Sequence, residues 1–483
     1  MNNQKKTFSI DGSYRMRTTA AASLCLLSAA GVSAQPSSAL KAELQGLLDD
    51  LAAATGFGLQ LGYVDETGDF GFAAGTTPDG RNITADDTFM FGSGTKPTTA
   101  AHMVQLSEQG KLSLDDKAAQ YVDPVLKAMN TGGDARLDSM VAMLGAQAAD
   151  VTVGQLVRME AGIADFDIPA CDDPDLVNGG KGIVQSPMTT FACLVGNYAA
   201  DKMFACAPGT CTSYSSTNYM LAGMAMTGAT VPAGKLAAAG AAAWTLLDQT
   251  GVLPAADVAT GRFDHFAFMD TGNLTAHLTV TGTTRNPTAK GKETLVGPTQ
   301  DASILGWTTG NMVASALDVA RWYNALLVEG KVVGAAALAK MKTFTPLNEG
   351  WAKGSIQYGT GLMIQALGSC KNPPTLDQPG TYVGHGGDAY GALSENGHFP
   401  DLNVTISAVA NTDLDLSFTH NTFACKVYEI IYKAKFGKEI DIKCRDAPAP
   451  GAKYECKSRF GYSMCSPSDS STLAYADCLV SCA

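Results

Sequence analysis

No two cysteines stand three apart in this chain, although twelve of them occur among its 483 residues. Without a C-x-x-C pair a zinc site has poor support. Positive charge is scarce: 34 lysines and arginines face 46 acidic residues, a net charge of -12. A surface of that sign repels phosphate backbones and argues against a nucleic-acid partner. Beyond the first 34 residues no apolar run is long enough to span a bilayer. Gly-x-Ser-x-Gly is missing, which argues against an α/β-hydrolase. His-Glu-x-x-His and Gly-x-x-x-x-Gly-Lys-Ser/Thr are missing too, which argues against a zincin and a P-loop enzyme. There is no internal repeat. At 46% hydrophobic and 17% charged residues, the composition is that of an ordinary globular protein. The length exceeds what one core usually organises, so two lobes are expected.

Residues 1–34 read as a secretory signal. Lys5, Lys6, Arg15 and Arg17 precede the short apolar run "TTAAASLCLLSAAGVSA", with cleavage expected after Ala34. The remaining eleven cysteines fall in two groups, Cys171 to Cys211 and Cys370 to Cys482. At this density a secreted chain is expected to be disulfide-linked, and the odd number leaves at least one thiol free or paired between chains. Pro208-Gly209 is a turn signal between Cys206 and Cys211, so these two are expected to pair, leaving Cys171 with Cys193. Asn82, Asn273 and Asn403 stand in glycosylation sequons. An extracellular location follows from these features.

Along the chain, "LKAELQGLLDDLAAAT" (40–55) has helical spacing, and "GLQLGYVDETGDFGFAAG" reads as a hairpin. A helix is expected from Lys96 to about Gln109, closed by Gly110. Residues 112 to about 300 carry helical patches and irregular stretches. "SALDVARWYNALLVEG" (315–330) is a helix with Ser315 and Asp318 spaced as a capping box. "QYGTGLMIQAL", "AYGALSENGHF" and "NVTISAVANT" read as strands, followed by a helix near 417–436. The predicted fold class is α/β (α+β): an antiparallel sheet built from both chain ends and flanked by helices, plus a mainly helical inserted lobe at roughly 112–300. The expected domain runs from 35 to 440. Residues 441–483, with five cysteines, are expected to form a small stapled appendage.

The chemistry centres on "SGTKP". At a helix start, positions i and i+3 share a face, which stacks the Ser93 hydroxyl on the Lys96 amine. Serine needs such a neighbour to take its proton before it can act as a nucleophile. Pro97 is tolerated only near the first turn. Backbone N–H groups at a helix N-terminus can hold an oxyanion. A bare Ser-x-x-Lys, however, is a weak pattern, and the plain alternative is a capping serine beside a solvated lysine.

The flanking segments sharpen it. "SGTKPTTAAHMVQLSEQGKLSLDD", "VTVGQLVRMEAGI", "CAPGTCTSYSSTNYMLAGM" and "YVGHGGDAYGA" resemble, in order, four segments of the serine beta-lactamase and penicillin-recognising family. The resembling branch holds class C beta-lactamases, D-alanyl-D-alanine carboxypeptidases and related esterases, and the resemblance covers roughly 40–436. It implies a beta-lactamase-like fold and acyl-enzyme chemistry without cofactor or metal. Ser93 would be the acylated nucleophile and Lys96 its partner. Tyr214 would be the general base, its phenol lowered by two nearby cations. His385 would orient a substrate carboxylate or the tyrosine, and Gly387 would keep the strand edge open for substrate. Backbone N–H groups of Ser93 and Asp388 would form the oxyanion hole.

Two positions depart from the family pattern. Ser216 stands where the second motif has an asparagine that holds the substrate's carbonyl, with Asn218 two residues on as a substitute. Asp388 puts a carboxylate beside the oxyanion position. Both leave acyl transfer intact and weaken amide specificity. The expected function is therefore a secreted serine esterase or D-alanyl peptidase-like acyl hydrolase, acting on a small-molecule or peptide-like substrate, with a true beta-lactamase behind it. The competing reading is a protein that keeps the fold and binds or assembles without turnover. The complete set Ser93, Lys96, Tyr214 and His385 speaks against that.

Overall fold

The helix Ser38–Thr55 turns Leu40, Leu44, Leu48 and Leu51 to one side, where all four are buried. The Ser37 hydroxyl caps its start, and Gly56, at φ 74°, ends it. It belongs to a computed structural model that describes residues 37–168, 171, 184–285, 293–296, 300–349, 353–368, 373–449, 451–459, 462–468 and 470–482. The expected signal segment and Cys370 lie outside these residues.

In chain order the first strands are β1 (Leu59–Asp65), β2 (Gly68–Ala74), β3 (Phe89–Met90) and β4 (Phe266–Phe268). Then come β5 (Gly282–Arg285), β6 (Glu293–Val296), β7 (Met312–Ala314), β8 (Thr345–Pro346), β9 (Gln357–Tyr358) and β10 (Met363–Ala366). The last are β11 (Thr381–Ala389), β12 (Ala392–Phe399), β13 (Val404–Ala410), β14 (Tyr454–Arg459) and β15 (Tyr462–Pro467). Eight of them form one antiparallel sheet in the order β2-β1-β13-β12-β11-β10-β9-β8. β1 pairs with β13 from Leu59 opposite Ala410 to Val64 opposite Thr405. Both chain ends thus build the sheet, as the alternating segments predict. A smaller sheet orders β3-β7-β4.

Alternation along the strands sorts the helices to the two faces. Leu59, Leu61 and Tyr63 pack in one core with the helices Ser38–Thr55 and Cys425–Phe436. On the other face lies the helix Ala316–Leu327. It comes so close that a Cβ on Gly62 would stand 2.1 Å from the Ala316 carbonyl oxygen. The Ser315 hydroxyl caps this helix on Asp318 N–H at 3.1 Å. Only half of the expected capping box forms, because the Asp318 carboxylate is taken by His265 N–H and Arg321.

The helical lobe gathers Ala119–Met129, Met140–Leu144, Val153–Val157, Pro187–Asn197 and Ser216–Thr230 around a core of its own. The helix Lys96–Glu108 runs along the seam. Ala100, Met103 and Leu106 join the helical core, while Ala101 and Val104 join the core on the sheet side. The helical stretch ends before 300, since β4 already pairs with β7. From the C-terminal segment, Tyr454, Tyr475, Cys478 and Leu479 join the core that holds Phe57 and Phe418. Cys206–Cys211 and Cys171–Cys193 pair as expected, with Cα separations of 6.2 and 5.7 Å. Cys425–Cys444 and Cys465–Cys478 are further bridges. Among the described residues, no helix is long and apolar enough to cross a membrane.

Candidate active site

Ser93 sits in a tight 3-10 turn, Gly92–Thr95, and the α-helix proper starts at Lys96. Pro97 is its second residue, where no N–H is needed. The i,i+3 geometry holds across the junction: Lys96 Nζ lies 2.7 Å from Ser93 Oγ and 3.2 Å from the Thr309 carbonyl oxygen. Lys96 is only 1% exposed. Loss of water around the ammonium pulls its pKa down to about 8, against the opposing pull of Asp165 and Asp167. At neutral pH a usable fraction of this amine is uncharged and able to accept a proton.

The turn is pressed onto β11, backbone to backbone. A Cβ on Gly92, whose φ is 47°, would lie 2.0 Å from the Asp388 carbonyl oxygen. One on Gly387 would lie 2.0 Å from the Phe91 carbonyl oxygen and 3.1 Å from Gly94 N. Gly387 therefore does not serve to leave the strand edge open for substrate. It lets the strand touch the turn that carries Ser93. Asp388 follows it, its residue exposed.

Tyr214 arrives on a loop stitched to a second loop. Ala164 N–H bonds Met203 O, Ala205 N–H bonds Gly162 O, Gly209 N–H bonds Glu160 O and Ser213 N–H bonds Met159 O, all at 2.8–2.9 Å. The Cys206–Cys211 bridge closes the turn inside this seam, and Gly162 leaves room for it: a Cβ there would meet Cys206 Sγ at 2.9 Å. Tyr214 hydrogen-bonds the Ser93 side chain. The Lys96 ammonium lies 5.2 Å from its ring centroid. The expected lowering of this phenol does not occur. Burial pushes it well above its usual pKa of 10, and the Asp165 and Asp167 carboxylates add to the rise, while the bond to Ser93 only partly offsets it. His385 beside it is neutral and supplies no positive charge.

His385 on β11 is 1% exposed, and burial together with the nearby Lys96 charge drives its pKa down to about 3. A neutral imidazole makes a poor holder of a substrate carboxylate. Nδ1 is 2.6 Å from the Gly386 carbonyl oxygen, which makes it the protonated nitrogen. Nε2 faces Tyr358 Oη at 3.4 Å, and Tyr358 Oη lies 3.2 Å from Tyr219 Oη. Tyr219 in turn donates to Val157 O at 2.8 Å. These rings wrap Lys96 and Tyr214: Tyr214 lies 6.1 Å from both Tyr358 and His385, centroid to centroid. Asn396 Nδ2 holds the His385 carbonyl at 3.0 Å.

Ser216 opens the helix Ser216–Thr230, and its N–H donates to Asp165 Oδ1 at 2.9 Å. Asn218 is not brought to the substrate side. It is 0% exposed, with its amide nitrogen on Met159 Sδ at 3.4 Å and its carbonyl oxygen enclosed. A buried side chain so placed cannot stand in for the second-motif asparagine. Sequence reasoning missed Asp165, Met159, Tyr219 and Tyr358. Each acts across a long sequence gap and carries no spacing signal. Asp165 is partly exposed, and its pKa rises to about 7 through burial and the neighbouring Asp167. Among the described residues no group of three or more His, Cys, Asp or Glu is set to hold a metal.

The chain resembles several solved structures along most of its length. A D-stereospecific amidohydrolase from Streptomyces sp. is 22% identical, with TM-score 0.58, covering 82% of this chain and 99% of that one. The D-amino acid amidase from Ochrobactrum anthropi SV3, complexed with L-phenylalanine amide, is 18% identical, with TM-score 0.58, over 83% and 99%. The beta-lactamase/D-alanine carboxypeptidase from Pseudomonas syringae is 16% identical, with TM-score 0.53, over 82% and 99%. At these identities the likeness is one of fold. The beta-lactamase family profile matches residues 63–423, most of the chain. This protein belongs to the beta-lactamase family and is a serine hydrolase.

Proposed function

We propose that the protein is a secreted acyl hydrolase that works through a Ser93 ester, on short esters and amides of amino-acid type. The observation that carries the reading is the 2.7 Å contact of a buried, pKa-lowered Lys96 with Ser93 Oγ, with Tyr214 bonded to the same side chain. Neutral Lys96 takes the Ser93 proton as Oγ attacks the acyl carbon. The oxyanion forms between the backbone N–H groups of Ser93 and Asp388. As the carbonyl re-forms, the leaving amine or alkoxide departs with a proton from Tyr214 Oη, and the Lys96 ammonium returns one to Tyr214. A phenol held above pKa 10 suits a donor that stays protonated, better than the standing base that the sequence pattern suggests. Water then repeats the steps on the ester and frees Ser93.

The charges around the site favour one class of acyl group. Asp165 brings a carboxyl group with a pKa of about 7 to the second motif, which a nearby ammonium would hold ionised, and its Oδ2 accepts no hydrogen bond among the described residues. A substrate ammonium fits there, whereas neutral His385 gives a terminal carboxylate nothing to pair with. The names of the amidohydrolase and amidase neighbours agree with D-amino acid amides. The family's penicillin substrates carry a carboxylate and fit less well. Secretion rests on residues 1–34 and agrees with the disulfides.

The test is fluorophosphonate labelling with peptide mapping, followed by turnover of D-phenylalanine amide, its N-acetyl form, nitrocefin and a short-chain nitrophenyl ester. Label on Ser93, loss of label in Ser93→Ala, and preference for the free amine are expected. Label elsewhere, or full ester turnover by Ser93→Ala, would sink the mechanism. A protein that takes no label and turns over none of the four is the binding protein of the competing reading.

A further inference from the structure

The backbone at Met159 adopts φ 58°, a left-handed conformation that L side chains seldom accept. Glycine would fit this backbone with less strain, yet a methionine stands there, 0% exposed. Its functional atoms converge on one place. The Met159 carbonyl oxygen takes the Ser213 N–H at 2.8 Å. Its thioether sulfur takes the Ser215 N–H at 3.4 Å and Asn218 Nδ2 at 3.4 Å. Of the three residues so held, Ser213 and Ser215 are the immediate neighbours of Tyr214 on either side.

We propose that Met159 is a positioning residue for Tyr214: its carbonyl and sulfur hold the backbone on both sides of that tyrosine and so aim the phenol at Ser93. The inference rests on the proposed role of Tyr214 as proton donor to the leaving group. Its physical content lies in the acceptor, not in the volume. Leucine fills nearly the same space but accepts no hydrogen bond, so the buried Ser215 N–H would lose its partner and the loop would shift to find another. Glutamine is of similar length and carries an oxygen that can receive the same two N–H groups. Misplacement of a proton-transfer group by about 1 Å costs on the order of a hundredfold in rate. Ester binding, which does not need Tyr214 in register, is spared.

The experiment compares Met159→Leu, Met159→Gln and Tyr214→Phe in the full chain, by steady-state kinetics on a short-chain nitrophenyl ester and by thermal unfolding. Met159→Leu is expected to unfold cooperatively, to keep KM within about twofold and to lose roughly 10- to 100-fold in kcat. Met159→Gln is expected to recover to within about threefold of the parent in kcat, because it restores the acceptor. A packing role alone would move the melting temperature and leave kcat of the folded protein unchanged. A leucine variant with parental kcat, beside an inactive Tyr214→Phe, overturns the proposal. So does a folded glutamine variant as slow as the leucine one, which also decides the matter if the leucine variant fails to fold. Full turnover by Tyr214→Phe would instead overturn the role of Tyr214, and the positioning role would fall with it.

Discussion

Replacing Gly387 by alanine adds a single methyl group on the buried side of β11. That carbon would stand 2.0 Å from the Phe91 carbonyl oxygen and 2.6 Å from Ser394 Oγ. Favourable nonbonded contact begins near ~3.5 Å, so the first distance is about 1.5 Å too short. The serine hydroxyl can rotate or shift. The Phe91 carbonyl cannot, because it accepts the Gly94 N–H at 2.8 Å and so closes the turn that carries Ser93. Either β11 moves off the turn or the turn moves off β11. Both displace Ser93 relative to the Asp388 N–H by roughly 1 Å, which predicts about a hundredfold loss of kcat. Overpacking costs about 1–3 kcal/mol of stability, which a chain of this size can survive. Initial rates on a nitrophenyl ester, normalised to the fraction of protein that takes a fluorophosphonate label, separate misplacement from unfolding. Normalised turnover within threefold of the parent would refute the close approach of strand and turn.

Three more outcomes follow from the site and its surroundings. In the proposed mechanism Lys96 receives the Ser93 proton in its uncharged form, so kcat/KM on a neutral ester should rise with pH through about 8; a flat profile from 6 to 9 would remove the lysine from that role. Mild reduction of Cys206–Cys211 should lower activity before the melting temperature falls, since the bridge closes a loop of few residues three positions from Tyr214 and adds only about 2 kcal/mol on the loop-closure account; simultaneous loss of both would contradict this. Asp270, hydrogen-bonded to Gln249 and Asn311, has its pKa raised to about 7 by burial. Its folded pKa exceeds the unfolded value near 3.8, so its contribution to stability is full below about 4 and is lost as pH rises through about 7. Asp270→Asn should therefore flatten the dependence of unfolding free energy on pH between those limits, and an unchanged slope would count against it.

Local patterns were enough to find the nucleophile helix, the N-terminal hairpin, the helix after Ser315 and the strand carrying "YVGHGGDA", because each follows from periodicity, a cap or a short motif. What stayed hidden depends on partners far along the chain. Gly387 reads as an open strand edge until Phe91, nearly three hundred residues earlier, is seen against it. The Tyr214 phenol moves up rather than down because the fold buries it and brings Asp165 and Asp167 beside it. Asn218 looks like a spare amide until Met159 covers it. Asp318 satisfies the letter of a capping box, yet its carboxylate is spent on Arg321 and His265. The five cysteines after 440 predict a small stapled appendage, but they do not show that Tyr475 and Leu479 pack into the main core.

The pairing of β1 with β13 also sets a timetable for the newborn chain. Leu59 leaves the ribosome long before Ala410, its partner, and at ~5–20 residues per second the wait is roughly 20–70 s. Throughout it the hairpin of β1 and β2 has both edges unpaired, with only the helix Ser38–Thr55 for shelter. The turn that carries Ser93 waits almost as long, because the strand it rests on ends at Ala389. A chain interrupted before Ala389 therefore holds Ser93 and Lys96 without the strand that backs them, and the proposed hydrolysis must wait for it.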